Sequence, residues 1–253
     1  MVRCPTGYDD QGFMEQHYYS QPRMTLQFPR ITMGVQRLIL ANAALFMFGL
    51  IADPILFYCS DYQLLDFFGF YPPTFIRGFL WTPITYQFLH GGIMHLFMNM
   101  LWLFVFGPDV ERLLGTRQFI GFYIICGVLG VLASVLPALL GAPMAHVIGA
   151  SGAVMGVMVA FVVVDPQRKF FLFPLPIPIT AVWLVILVVI FNLMTAGSGN
   201  SDVSVATHFG GMITGWLLMN AIPRYNSWRY SNATMTERLR DAVNNIFYKN
   251  KEE

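Results

Sequence analysis

Ser151 lies in Gly149-Ala150-Ser151-Gly152, and His208 lies in Ala206-Thr207-His208-Phe209-Gly210-Gly211. A serine hydroxyl within reach of an imidazole is the pairing for acyl transfer, in which the ring takes the hydroxyl proton as the oxygen attacks a carbonyl. Ser151 is expected at the start of a helix, where unpaired N–H groups and the positive end of the dipole favour a developing oxyanion. Its competing reading is that of a small residue allowing close helix packing. GxSG also marks soluble hydrolases with a strand-to-helix elbow, but no strand is expected before it here. His208 falls within an apolar span, where an ionisable side chain is costly and is a functional candidate by default. The plainer alternative is a histidine satisfied by a neighbouring carbonyl. Gly211 and Gly215 follow His208, and Gly152 and Gly156 follow Ser151, at spacings that give each span a small-residue face and let the two backbones approach.

A second polar group runs His90-Gly91-Gly92-Ile93-Met94-His95-Leu96-Phe97-Met98-Asn99. His95 and Asn99 are four apart on one helical face and are candidate oxyanion donors, or alternatively polar glue between helices. As a metal site the run is poor, because no Glu accompanies the histidines as in HExxH. His146, five residues before Ser151, is a competing base, and His17 carries no signal. Cys4, Cys59 and Cys126 are far apart and form neither a disulfide framework nor a zinc motif.

These groups must be positioned by elements whose solvent is lipid. Of 253 residues, 56% are hydrophobic and 11% charged, against roughly 25% charged in soluble domains. The net charge is +1 with scattered basic residues, which excludes a nucleic-acid footprint. Charge-poor spans are expected at 35–56, 94–110, 118–137, 150–164, 178–195 and 204–222. The first thirty residues lack the pattern of a signal peptide and read as a retained tail. All but one of the fifteen Lys and Arg residues fall on one side of these spans, Arg77 being the exception, so both termini are expected in the cytoplasm. The fourth span, Ser151–Val164, is about 21 Å long, too short for a hydrocarbon core of roughly 30 Å. Irregular backbone from Pro143 to Gly149 must therefore lie below the surface, which implies an outward cavity. The Gly/Ser-rich loop 195–203 is expected to cap that cavity.

In combination and order these elements resemble the rhomboid family of intramembrane serine proteases over about residues 35–222. The resemblance rests on the HxxxxHxxxN run of His90, His95 and Asn99, on Glu111-Arg112 with Gly115, on Gly149-Ala150-Ser151-Gly152, and on His208 with Gly211 and Gly215. It implies an all-α polytopic membrane protein with a six-transmembrane-helix bundle at 35–222, a polar cytoplasmic tail at 1–34 and a second at 223–253. Ser151 would be the nucleophile and His208 the general base and then acid, without a third carboxylate. His95, Asn99 and the Ser151 N–H would bind the oxyanion. Glu111 and Arg112 would tie down the cytoplasmic end of the second span, with His90, Gly149, Gly152, Met155, Gly211 and Gly215 in support. The resemblance also implies no metal or cofactor, a lipid bilayer around the bundle, a bacterial inner membrane, and transmembrane protein substrates of the single-span kind. Two positions depart from the family pattern: Thr82 follows Trp81 where many members have Arg, and Met155 stands where many have Tyr. The rival reading is a catalytically inactive relative that binds and escorts transmembrane segments, although such relatives usually lack the serine or histidine kept here.

Overall fold

The structure is a computed structural model and describes residues 30–140, 145–171, 178–197 and 205–222. The tails before residue 30 and after 222, and loop positions 198–203, lie outside the described residues. Long apolar stretches fold as helices, because lipid offers the backbone no partner and each segment must satisfy its own N–H and C=O groups. The first helix among the described residues is α1 (Met33–Ser60). Four short turns follow in the connection: α2 (Leu64–Phe68), α3 (Pro72–Ile76), α4 (Thr82–Thr85) and a 3-10 turn at Tyr86–Phe88. Then come α5 (Ile93–Leu114), α6 (Thr116–Ala133) continued by α7 (Val135–Leu139), α8 (Ser151–Val164), α9 (Ala181–Gly197) and, last among the described residues, α10 at 205–222.

The result is a polytopic bundle of membrane helices. Among the described residues three segments are long and apolar enough to cross a membrane: α1, α5 and Thr116–Leu139; α8 and α9 are shorter and apolar. Large side chains such as Leu40, Phe48, Ile51, Trp183, Leu187 and Phe191 face outward, as lipid-facing positions must. By contrast α8, apolar all round, is the buried centre of the bundle, packed against α5, α6 and α9.

Two stretches between the helices of this all-α bundle are not helical, and each is held by residues distant in sequence. After Asp165 ends α8, a short antiparallel ribbon forms from β1 (Lys169–Phe171) and β2 (Pro178–Thr180). It is held by Phe170, which packs on Phe106 and Phe161 with ring centroids 5.2 and 5.6 Å away. The second is the irregular backbone before Ser151. Val147 pairs both ways with Phe70, at 2.7 and 3.0 Å, and the Gly149 N–H donates to the Tyr86 carbonyl at 2.9 Å. Protein from the connection supplies those partners. A cavity of about 360 Å³ lies next to it, between α1, α2, His90 and Ile148.

One end of the bundle is fastened by Glu111, 3% exposed. Its carboxylate accepts the N–H groups of Gly34 and Val35 at 2.7 and 2.8 Å, the Thr116 hydroxyl at 2.6 Å, and the Thr32 hydroxyl. An anion thus sits at the N-terminus of α1, where orphan N–H groups and the dipole favour it. Arg112 donates to Asp109 at 2.6 Å and to the Arg30 carbonyl at 2.8 Å, and Arg168 lies 3.7 Å from Asp109. Glu111→Ala should therefore lower the thermal midpoint in detergent by the equivalent of about 3 kcal/mol, the scale of hydrogen bonds to a charged group. Glu111→Gln should lose less, and an unchanged midpoint for alanine would refute the anchoring role.

Candidate active site

The site begins at the turn into α8. Gly149 has φ +109°, a conformation that disfavours any side chain. The same position has no room, since a Cβ there would come within 2.6 Å of the His95 ring. The turn brings Ser151 to the first position of α8. The in-helix ladder starts with Val154 N–H on the Ala150 carbonyl at 3.0 Å, so the N–H groups ahead of it emerge from the helix end beside the serine.

Small residues decide what meets Ser151. A Cβ on Gly211 would overlap the Gly152 carbonyl, and one on Gly215 would overlap that of Gly156. Gly152 in turn faces Thr207, and Gly130 of α6 faces Gly211. Helices α8 and α10 therefore touch backbone to backbone, and one turn along from Gly211 the His208 Nε2 lies 2.7 Å from Ser151 Oγ. Gly211→Val, which must push these helices apart, should lower turnover by about a hundredfold, the cost of an ångström-scale misplacement. Gly121→Ala, on open space in α6, should leave turnover unchanged. Full activity in the Gly211 variant would show that the close approach is not needed.

The second polar group arrives from α5. The His95 ring lies over Gly149, and Asn99 Nδ2 would be 3.7 Å from a Cβ there. Asn99 is 5% exposed and donates to the His95 carbonyl at 3.0 Å. His90, in the connection before α5, meets His95 edge-on at 5.1 Å. Burial, with His95 beside it, lowers the His90 imidazole to about 4, so it is neutral at physiological pH. Met155 is half-buried one turn after Ser151 and packs on the bundle core. His146 turns away and stacks on Tyr71 at 4.7 Å. Thr82 is buried and donates to the Phe79 carbonyl at 2.8 Å within the connection. Tyr86 fastens that connection to the bundle by donating to the Gly127 carbonyl at 2.7 Å.

One residue of the site escaped the sequence reading. Asn192 of α9, 4% exposed, places its Oδ1 against His208 Nδ1. The signal was present, because Asn192 is the one polar side chain in the run from Ala181 to Met194, and an amide in lipid demands a partner. Among the described residues no three His, Cys, Asp or Glu side chains gather as metal ligands would. What the arrangement offers is a hydroxyl in contact with a proton acceptor, with His95 and Asn99 beside the Gly149 turn.

Comparison with known proteins agrees with this geometry. The Rhomboid domain family model matches residues 77–224. The chain is 31% identical over 153 residues to Rhomboid protein 1, mitochondrial, of Saccharomyces cerevisiae, covering 58% of this chain and 44% of that protein. It is 34% identical over 147 residues to Rhomboid protease GluP of Bacillus subtilis, covering 58% and 27%. With RHOMBOID-like protein 12, mitochondrial, of Arabidopsis thaliana it shares 29% identity over 191 residues, covering 69% and 54%. The match thus spans between about a quarter and just over half of these curated relatives' own lengths.

Proposed function

Because the chain belongs to the rhomboid family, we propose that it is a serine endopeptidase that hydrolyses peptide bonds in or beside the membrane-spanning segments of other proteins. The observation that carries this reading is the 2.7 Å approach of His208 Nε2 to Ser151 Oγ at the N-terminus of α8. Nε2 takes the hydroxyl proton as Oγ bonds to the scissile carbonyl carbon, and the carbonyl oxygen becomes an anion. His95, Asn99 and the Ser151 N–H converge on that oxygen. When the C–N bond breaks, Nε2–H gives its proton to the departing amine and leaves an acyl ester on Ser151. Water then attacks the ester, losing its proton to Nε2, and the serine is regenerated.

The finer architecture follows the same reading. Six spans, α1, α5, α6 with α7, α8, α9 and α10, form a membrane domain at 35–222 between tails at 1–34 and 223–253. The end where Arg112 and Arg168 meet Asp109 and Arg112 reaches the Arg30 carbonyl faces the cytoplasm, as basic residues do, and Ser151 opens toward the other side. Substrates are single-span proteins whose small-residue segments unwind easily, since attack needs an extended backbone at Ser151. The escort reading, binding without hydrolysis, is disfavoured because both members of the pair are present and in contact.

The test is incubation of the purified full chain in bilayer discs with a panel of single-span proteins, beside a Ser151→Ala control. Cleavage by the parent alone, mapped by mass spectrometry, supports the proposal. Binding without cleavage, together with no fluorophosphonate label on Ser151, would overturn it in favour of the escort.

A further inference from the structure

The ring of His208 is held at both nitrogens, by residues from two other helices. Nε2 faces Ser151 of α8, and Nδ1 faces Asn192 Oδ1 of α9, with His208 and Asn192 only 7% and 4% exposed. Which atom of the amide faces the ring is decided by the other end of the same side chain. Asn192 Nδ2 donates to the Val188 carbonyl at 2.8 Å, a bond only the nitrogen can make, because a carbonyl oxygen accepts and never donates. Turning the amide over would set Oδ1 against the Val188 oxygen, lone pair against lone pair. With Oδ1 fixed toward the ring, Nδ1 must carry the proton, and the lone pair of the neutral imidazole is left on Nε2, opposite the Ser151 hydroxyl.

We propose that Asn192 is a positioning residue of the hydrolytic site, holding His208 in the tautomer and orientation that let Nε2 take the Ser151 proton. The role rests on the protease reading above. No proton passes to Asn192. The Nδ1–H···Oδ1 bond persists through the cycle and strengthens when the ring becomes an imidazolium, because its donor is then charged. A neutral amide can do this within an apolar helix without the desolvation cost of burying a carboxylate. A misdirected tautomer presents Nε2–H to the serine and cannot act as a base. Asn192 therefore acts on turnover and not on substrate binding.

The test uses the full chain in bilayer discs. Asn192→Leu, which keeps bulk but removes the acceptor, should lower kcat by roughly ten- to a hundredfold, the worth of a hydrogen bond to a charged group, with KM within about twofold. Asn192→Gln, which keeps an amide acceptor and an amide donor one methylene further out, should recover kcat to within about tenfold of the parent. A merely structural role predicts no such recovery. Nitrogen-15 NMR of histidine-labelled parent protein, with the His208 signals assigned by their loss in His208→Ala, should place the proton on Nδ1. That measurement decides the matter even if the leucine variant does not fold. An unchanged kcat in folded Asn192→Leu, or a parent His208 protonated on Nε2 alone, would overturn the proposal. If the parent neither cleaves nor takes the fluorophosphonate label, the protease reading falls, and the tautomer still tells whether Asn192 directs the ring.

Discussion

Ser151→Ala should abolish cleavage and fluorophosphonate labelling, and His208→Ala should come close to it, each with a loss on the order of 10⁴- to 10⁶-fold, the scale set by nucleophile and base deletions in soluble serine hydrolases. The size of the effect follows from the geometry. The Ser151 hydroxyl is the group placed 2.7 Å from His208 Nε2, and without either partner no activated oxygen remains at the helix end. Stability should change little in Ser151→Ala, since one hydrogen bond of about 1 kcal/mol is lost and alanine suits a helix. The two losses should not multiply, because both residues act in a single proton transfer, so the double variant should be no worse than either alone. His146→Ala separates this arrangement from its sequence-level competitor. With its ring stacked on Tyr71, His146 can be removed while most activity is kept. An equal loss there, in a folded protein, would contradict the assignment of His208 as the one base.

Much of this site was legible in the sequence for a physical reason. Ser151 with Gly152 and Gly156, and His208 with Gly211 and Gly215, repeat at helical spacing, and in lipid small residues mark where backbones meet. The short reach of Ser151–Val164 also read directly, since a length in residues is a length in ångströms. Directions did not read as well. Helix α8 is apolar all round, and α9 carries one amide in a long apolar run, so the pattern gives no face on which to place Asn192. The partner of that amide lies on another helix and is fixed only by packing. The partners of the irregular segment before Ser151 are hidden for a similar reason, although its Ile148 does line a cavity. Its backbone bonds go to Phe70 and Tyr86, more than sixty residues earlier in the chain, and nothing in the local sequence announces a pairing at that distance. The ribbon of β1 and β2 depends likewise on Phe170 finding Phe106 and Phe161.

Asn99→Ala should leave the bundle folded and substrate binding comparable, yet lower turnover by roughly ten- to a thousandfold, in line with single-donor losses in soluble hydrolases. Asn99 is buried on α5, and its Nδ2 already gives one hydrogen to the His95 carbonyl at 3.0 Å. An amide nitrogen carries two hydrogens, so a second remains, on the side of α5 that approaches Gly149 and the turn into Ser151. The bond to the His95 carbonyl fixes the amide plane before substrate arrives, and a donor that need not reorganise is worth most where charge develops. His95 and the Ser151 N–H would still serve the oxyanion in the variant, which sets the lower end of the range. Because the interaction strengthens only as the carbonyl oxygen becomes an anion, the loss belongs in kcat, with KM little changed. A fluorophosphonate should still label Asn99→Ala, more slowly than the parent, whereas Ser151→Ala should not label at all. If Asn99→Ala instead raised KM and left turnover at saturation untouched, the amide would belong to substrate docking, and the anion would have to be held by His95 and the helix end alone.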